Sequence, residues 1–307
     1  MRIAIIDLGT NTCNLLIAET NTTGFTILHQ SKQLVKLGDD KIRENEISPE
    51  ATGRTLQSFQ IHAKIIKKYN VEKVKVIATS AVRSAENKIE FLEKIGKQTG
   101  WIIKVISGEK EAELIFKGVL LAFNNYENPS IVLDVGGGSN ELILAHHKEV
   151  FWKESRPTGM ARVISNFKLS DPIHFNEIKI LQNYFSEEHK SAFKNCAEKS
   201  VQTLIGCSGA FDTLADIIDE VEPGEKQRTA QEISIDEFYT VYNMLIKSTR
   251  EQRLQMRGMD FVRVDLIVPA VILIEQLISE IGIMTIIQTD FALREGVLYD
   301  IIEPRIL

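Results

Sequence analysis

Two short turns in the sequence carry the residue types that could grip phosphate. One lies in LDVGGGSNEL, which places Asp134, Gly136, Gly137, Gly138, Ser139, Asn140 and Glu141 in close succession. The other lies in IDLGTNT, which sets Asp7 ahead of Thr10, Asn11 and Thr12. Glycines lack a Cβ, so the backbone can come close to a ligand. Successive N–H groups in such a turn form a concavity that suits an anion. Ser139, Asn140, Thr10, Asn11 and Thr12 add side-chain donors. Asp7 and Asp134 would repel a phosphate held there unless a cation lay between, and Mg²⁺ with its retained waters meets that need. The alternative is that both Asp side chains bond turn amides. ATSAVRSAEN sets Arg83 in a loop just after a strand, where its planar guanidinium could clamp phosphate oxygens or pair with Glu86. ISGEKEAELIF puts Glu109 and Glu111 in the first turn of a helix, where acidic side chains complement the dipole.

The elements around these residues repeat. Asp7 and Asp134 stand 127 residues apart, and the same offset relates Gly9 to Gly136, Thr12 to Ser139, Leu15 to Leu142 and Ala18 to Ala145. The first half reads as strands at 3–7, 15–19 and 25–37, followed by a helix with Ser48 as N-cap and Pro49 at its first position. A strand at 74–79, a helix through Phe91 and Ile95, a strand at 102–107 and a helix from about 109 to 123 complete it. The second half repeats the order, with strands at 131–134, 141–145 and 150–154 and helical residues from 159. A strand at 203–207, a helix through Phe211 and Ile217, an apolar helix near 261–281, a strand at 285–288 and a helix from 293 follow. Between them, Ser234 with Glu237 three residues on forms a capping box. Antiparallel meanders followed by right-handed crossovers predict two α/β domains, each a mixed five-stranded sheet with helices on both faces. Two such domains facing across a cleft would put one phosphate-binding turn on each wall.

Composition narrows the rest. The 307 residues are 44% hydrophobic and 25% charged, as in an ordinary globular protein of about two domains. No apolar run reaches the ~18 residues of a membrane span, and a strand directly after Met1 argues against a leader. The net charge of −6 offers no field to attract nucleic acid. Cys13, Cys196 and Cys207 form no metal-type spacing, which suggests a reduced, cytoplasmic setting.

These residues together resemble the exopolyphosphatase and guanosine pentaphosphate phosphohydrolase (Ppx/GppA) family of the actin-like ATPase superfamily. IDLGTNT, ATSAVRSAEN, VISGEKEAELIFKGV, LDVGGGSNEL, GCSGAFDTLA and FALREGVLYDII occur in that family's order and spacing. The resemblance implies two tandem actin-like (ribonuclease H-like) domains, which we place at 1–124 and 125–292; the final helix, 293–307, is expected to pack back on the first, because its Leu293, Val297 and Ile301 need an apolar partner. It implies hydrolysis of the terminal phosphate of polyphosphate or of pppGpp, with Glu111 as catalytic base. Gly136, Ser139 and Arg83 match phosphate-contacting positions, and Asp134 and Glu141 match an acidic pair that positions metal and water. We place Asp7 with that metal group, and Thr10, Asn11, Thr12, Gly137, Gly138 and Asn140 with the phosphate donors. A divalent cation, a homodimer, and no nucleic-acid or membrane partner complete the expectation. Glu113, Asn140, Cys13 and Asn14 depart from the family pattern, and the chain ends where longer relatives add a helical region. Both features lead us to expect a preference for short chains. A small-molecule kinase of the same fold and a non-catalytic (p)ppGpp-binding regulator stand as alternatives.

Overall fold

A computed structural model of the chain describes residues 1–21, 24–38, 41–123 and 128–306. These fall into two compact units, Met1–Gly118 with Leu293–Leu307, and Val119–Ala292. The domain boundary expected at 124/125, and Leu307 at the end of the final helix, lie outside the described residues.

In the first unit the chain runs β1 (Arg2–Leu8), β2 (Thr12–Thr20), β3 (Phe25–Leu34), α1 (Pro49–Lys68), β4 (Lys73–Ala78), α2 (Ser80–Ser84), α3 (Lys88–Thr99), β5 (Ile103–Val105) and α4 (Gly108–Ala122). Its sheet has the order β3-β2-β1-β4-β5, antiparallel through the meander and parallel across β1-β4-β5. Ile3, Ala4, Ile5 and Ile6 of β1 are all fully buried, the unbroken apolar run of a strand covered on both faces. The start of α1 follows its sequence: Ser48 Oγ accepts from Ala51 N, and Pro49 stands where no intrahelical N–H is required.

The second unit contains β6 (Ser130–Val135), β7 (Asn140–His146), β8 (Glu149–Arg156), α5 (Met160–Asn166), α6 (Phe175–Glu188), α7 (Lys190–Glu198), β9 (Thr203–Cys207), α8 (Gly209–Asp219), β10 (Gln231–Ile233), α9 (Ile235–Lys247), α10 (Arg250–Leu254), α11 (Ile267–Ile281) and β11 (Thr285–Thr289). Its sheet runs β10-β11-β9-β6-β7-β8. Read from the other edge, β8-β7-β6-β9-β11 repeats the order of the first sheet, and β10 adds a sixth, antiparallel strand. Asp7 pairs with Asn14 across β1–β2, and Asp134 pairs with Glu141 across β6–β7, so the repeat holds strand by strand and in register.

Three local expectations change. Arg83 lies on the short helix α2 rather than in a loop. The three residues of β10 are too few for periodicity to reveal a strand. The apolar helix α11 begins at Ile267, not near 261. Pro269 explains that start, because proline is tolerated in a first turn whose N–H groups have no helical partner.

The last helix, α12 (Leu293–Ile306), belongs to the first unit. Leu293, Val297, Leu298 and Ile302 are buried, each worth about 1.5–3 kcal/mol. A Cβ on Gly296 would come within 1.7 Å of Leu114 O, so only glycine lets α12 lie this close to α4. Among the described residues, no helix is long and apolar enough to cross a membrane.

Candidate active site

Glu111 sits in the first turn of α4, where its N–H bonds Ser107 O at 2.9 Å. Its carboxylate is buried and accepts from Arg83 Nη1 at 2.7 Å. The same guanidinium nitrogen donates to Ile106 O at 3.1 Å. Arg83 therefore pairs with Glu111 rather than with Glu86, and two candidate residues 28 positions apart meet directly. Glu109, two residues before Glu111, is exposed.

The turn between β1 and β2 is closed by Gly9 N bonding Thr12 O at 2.9 Å. Its backbone is held from the segment after β3: Val35 N and Lys36 N bond Asn11 O at 2.9 Å, and Gly38 N bonds Thr10 O at 3.3 Å. Thr10 and Thr12 are buried, and Asn11 is half-buried. Asn14 Nδ2 bridges Asp7 Oδ2 at 3.2 Å and Thr12 Oγ1 at 3.3 Å. Asp7 Oδ1 is buried without a hydrogen-bond partner. Burial lifts the Asp7 carboxyl to about 6; the Asn14 bond and the Arg294 charge offset part of this, and Glu295 adds to it.

The glycine-rich turn between β6 and β7 is fixed through its carbonyls. Met160 N bonds Gly136 O at 2.9 Å, Ala161 N bonds Gly137 O at 2.9 Å, and Arg162 Nε bonds Gly138 O at 3.1 Å. Three successive acceptors are thus engaged by the start of α5. Gly159 permits this approach, since a Cβ there would lie 2.4 Å from both Gly138 N and Ser139 N, and Gly136 permits the turn itself, since a Cβ there would lie 2.4 Å from Ser139 O. Ser139 is buried beside them, and Asn140 is fully buried, with its Nδ2 directed to Thr158.

Asp134 and Glu141 are directly opposed on neighbouring strands. Like charges so placed are destabilising, and each carboxylate has a hydroxyl partner. Ser208 Oγ donates to Asp134 Oδ1, and Ser155 Oγ donates to Glu141 Oε1 at 2.6 Å. Ser208 has φ +66°, a backbone conformation that costs a non-glycine residue about 1–3 kcal/mol. That strain brings its hydroxyl to Asp134 at the N-terminus of α8. Arg162 is not signalled by the sequence as a site residue, and Ser208, although it lies in the GCSGAFDTLA stretch, is not singled out there; both act on the turn region from distant segments.

Among the described residues, no group of three or more His, Cys, Asp or Glu side chains is placed to hold a metal alone. Each unit taken by itself holds oxygen donors of the kind a hard cation takes: a bare, buried Asp7 Oδ1 in the first, and the opposed Asp134–Glu141 pair in the second. Mg²⁺ is commonly held by one or two carboxylates, its remaining positions filled by water and phosphate oxygens. The first unit thus carries an arginine-held carboxylate, and the second a carbonyl-anchored turn beside an opposed carboxylate pair.

Comparison with known proteins places this chemistry in a family. A solved exopolyphosphatase from Cytophaga hutchinsonii superposes with a TM-score of 0.94 at 34% identity, covering 99% of this chain and 98% of that one. Exopolyphosphatase 2 of Mycobacterium tuberculosis is 28% identical over 290 residues, 91% of each chain. A bifunctional 3-dehydroquinate synthase/phosphatase of Fusobacterium nucleatum is 30% identical over 298 residues; the match covers 91% of this chain and spans only 43% of that protein's length. With residues 16–304 matching its family pattern and two actin-like sheets built in register, the chain belongs to the Ppx/GppA phosphatase family.

Proposed function

We propose that this chain releases the terminal phosphate of short inorganic polyphosphates, of pppGpp, or of both, by attack of water on the terminal phosphorus. The partly buried Arg83–Glu111 pair at 2.7 Å carries this reading. The arginine favours the ionised carboxylate and fixes its direction, so Glu111 can orient a water and take its proton. Arg83 and the amides of the 136–139 turn hold the terminal phosphate, with Thr10, Asn11, Thr12 and Ser139 as further donors. Asp7, Asp134 and Glu141 are the residues that would hold a divalent cation such as Mg²⁺, which when bound neutralises charge on the substrate's phosphates. The relatives named as exopolyphosphatases support polyphosphate as the substrate class.

The test is phosphate release from polyphosphates of graded length and from pppGpp, with and without Mg²⁺ and without any acceptor. Glu111→Gln preserves shape but removes the base, and turnover should fall by about 10²–10⁴-fold, whereas the exposed Glu109→Gln should change it little. Equal single-turnover rates for Glu111→Gln and the unaltered chain would sink the role of Glu111. Phosphate transfer that requires an alcohol or carboxylate acceptor would instead indicate a kinase.

A further inference from the structure

A buried polar chain runs behind the glycine-rich turn. Asn140, the first residue of β7, donates Nδ2 to Thr158 O at 2.8 Å and to Thr158 Oγ1 at 3.1 Å. Thr158 Oγ1 lies 3.2 Å from Nε2 of His189, at the junction of α6 and α7. Asn140, Thr158 and His189 are all fully buried. On the far side of the imidazole, Nδ1 faces Glu154 Oε1 at 3.7 Å, and both of these buried atoms lack a hydrogen bond. Buried polar atoms without partners are uncommon and call for an explanation. Here the two face each other.

The proton positions follow from donor counting. The carboxylate oxygen Glu154 Oε1 is an acceptor facing Nδ1, so the ring proton is placed on Nδ1. Nε2 is then the unprotonated nitrogen and accepts from the Thr158 hydroxyl, whose oxygen takes the Asn140 amide on a lone pair. The order is Glu154, His189, Thr158, Asn140, with each group fixing the next. Thr158 also precedes Gly159, where an added Cβ would meet the amides of Gly138 and Ser139 at 2.4 Å.

We propose that Glu154, His189 and Thr158 are positioning residues that set the glycine-rich turn for phosphate, an inference that rests on the reading of that turn given above. None of the three touches the substrate. Their effect passes through Asn140 and Gly159, and displacement of a substrate-holding group by about 1 Å can cost about 10² in rate.

Two measurements test the relay. In ¹⁵N-histidine NMR spectra of the intact chain, His189 should show the Nδ1–H tautomer, and an Nε2–H tautomer would overturn the assignment. This readout does not depend on substrate, so a chain that fails to hydrolyse polyphosphate defeats the proposed function but still decides the relay. In phosphate-release assays, Thr158→Val and His189→Leu should each lower kcat/KM by about 10–100-fold, and the double variant should fall no further than either single one. Thr158→Ser and His189→Gln, which keep a hydroxyl and an acceptor at the Nε2 position, should recover most of that loss. Multiplicative effects in the double variant, or His189→Gln as impaired as His189→Leu, would overturn the proposal. If the apolar variants do not fold, the tautomer and the two conservative variants decide it.

Discussion

Glu113 stands where the resemblance leads one to expect arginine, and the structure shows what restoring arginine would do. Its carboxylate accepts from Lys110 Nζ at 2.7 Å and lies 2.9 Å from Lys117 Nζ, and Lys117 reaches Asp300 on α12 at 2.6 Å. Two positive and two negative charges therefore close a neutral cluster between α4 and α12. Burial raises the Glu113 carboxyl, but the hydrogen bonds and charges of both lysines outweigh it and hold the group at about 2 instead of 4.5. At ~1.4 kcal/mol per pH unit this would be worth about 3 kcal/mol if fully buried. Glu113 is 37% exposed and the lysines 36% and 24%, so screening reduces the contribution to about 1–2 kcal/mol. Glu113→Gln should lose that amount in urea unfolding at pH 7. Glu113→Arg should lose more, because three cations would then share one carboxylate. The folded pKa lies below the unfolded one, so the stabilisation is present above about 4.5 and fades as pH falls toward 2. Added salt should shrink both effects. If Glu113→Arg matches the unaltered chain at pH 7 and low salt, the neutral-cluster reasoning fails.

Asp7 should behave in the opposite sense. Its folded carboxyl, raised by burial to about 6, binds a proton more tightly than the unfolded chain does, so its contribution is full below about 4 and lost as pH rises through 6. With EDTA present, the stability of Asp7→Asn relative to the unaltered chain should rise by about 2 kcal/mol between pH 4.5 and 8, and a pH-independent difference would refute this. Gly159→Ala forces a Cβ to 2.4 Å from the amides of Gly138 and Ser139. It should leave the far-UV circular dichroism unchanged while kcat/KM for phosphate release falls by about 10²; near-normal release would show that the turn can yield without harm.

Much of the fold is legible in local pattern. The Ser48–Pro49 start, the Ser234–Glu237 box and the doubled strand–turn–strand each rest on a few adjacent residues, and each appears in place. The features that escape a reading of the sequence depend on partners distant along the chain. Nothing near Glu113 announces Asp300, and nothing around Arg83 favours Glu111 over the nearer Glu86. The glycine-rich turn is legible as a turn, yet its anchoring by Met160, Ala161 and Arg162 depends on where α5 packs. Asn140 shows the same limit: its type suggests a donor to ligand, whereas its amide is directed to Thr158.

The return of α12 to the first unit has a consequence for synthesis. Residues 1–118 leave the ribosome ahead of the second unit, but the helix whose Gly296 seats on Leu114, and whose Asp300 pairs with Lys117, is made after it. Residues 119–292 are translated in between, which takes roughly 10–35 s at 5–20 residues per second. The first unit therefore waits through that interval with the α12-facing surface of β1 and α4 uncovered. A ribosome-bound chain stalled with residues 1–292 clear of the exit tunnel and α12 still inside it should hold a protease-resistant second unit and a protease-sensitive first one.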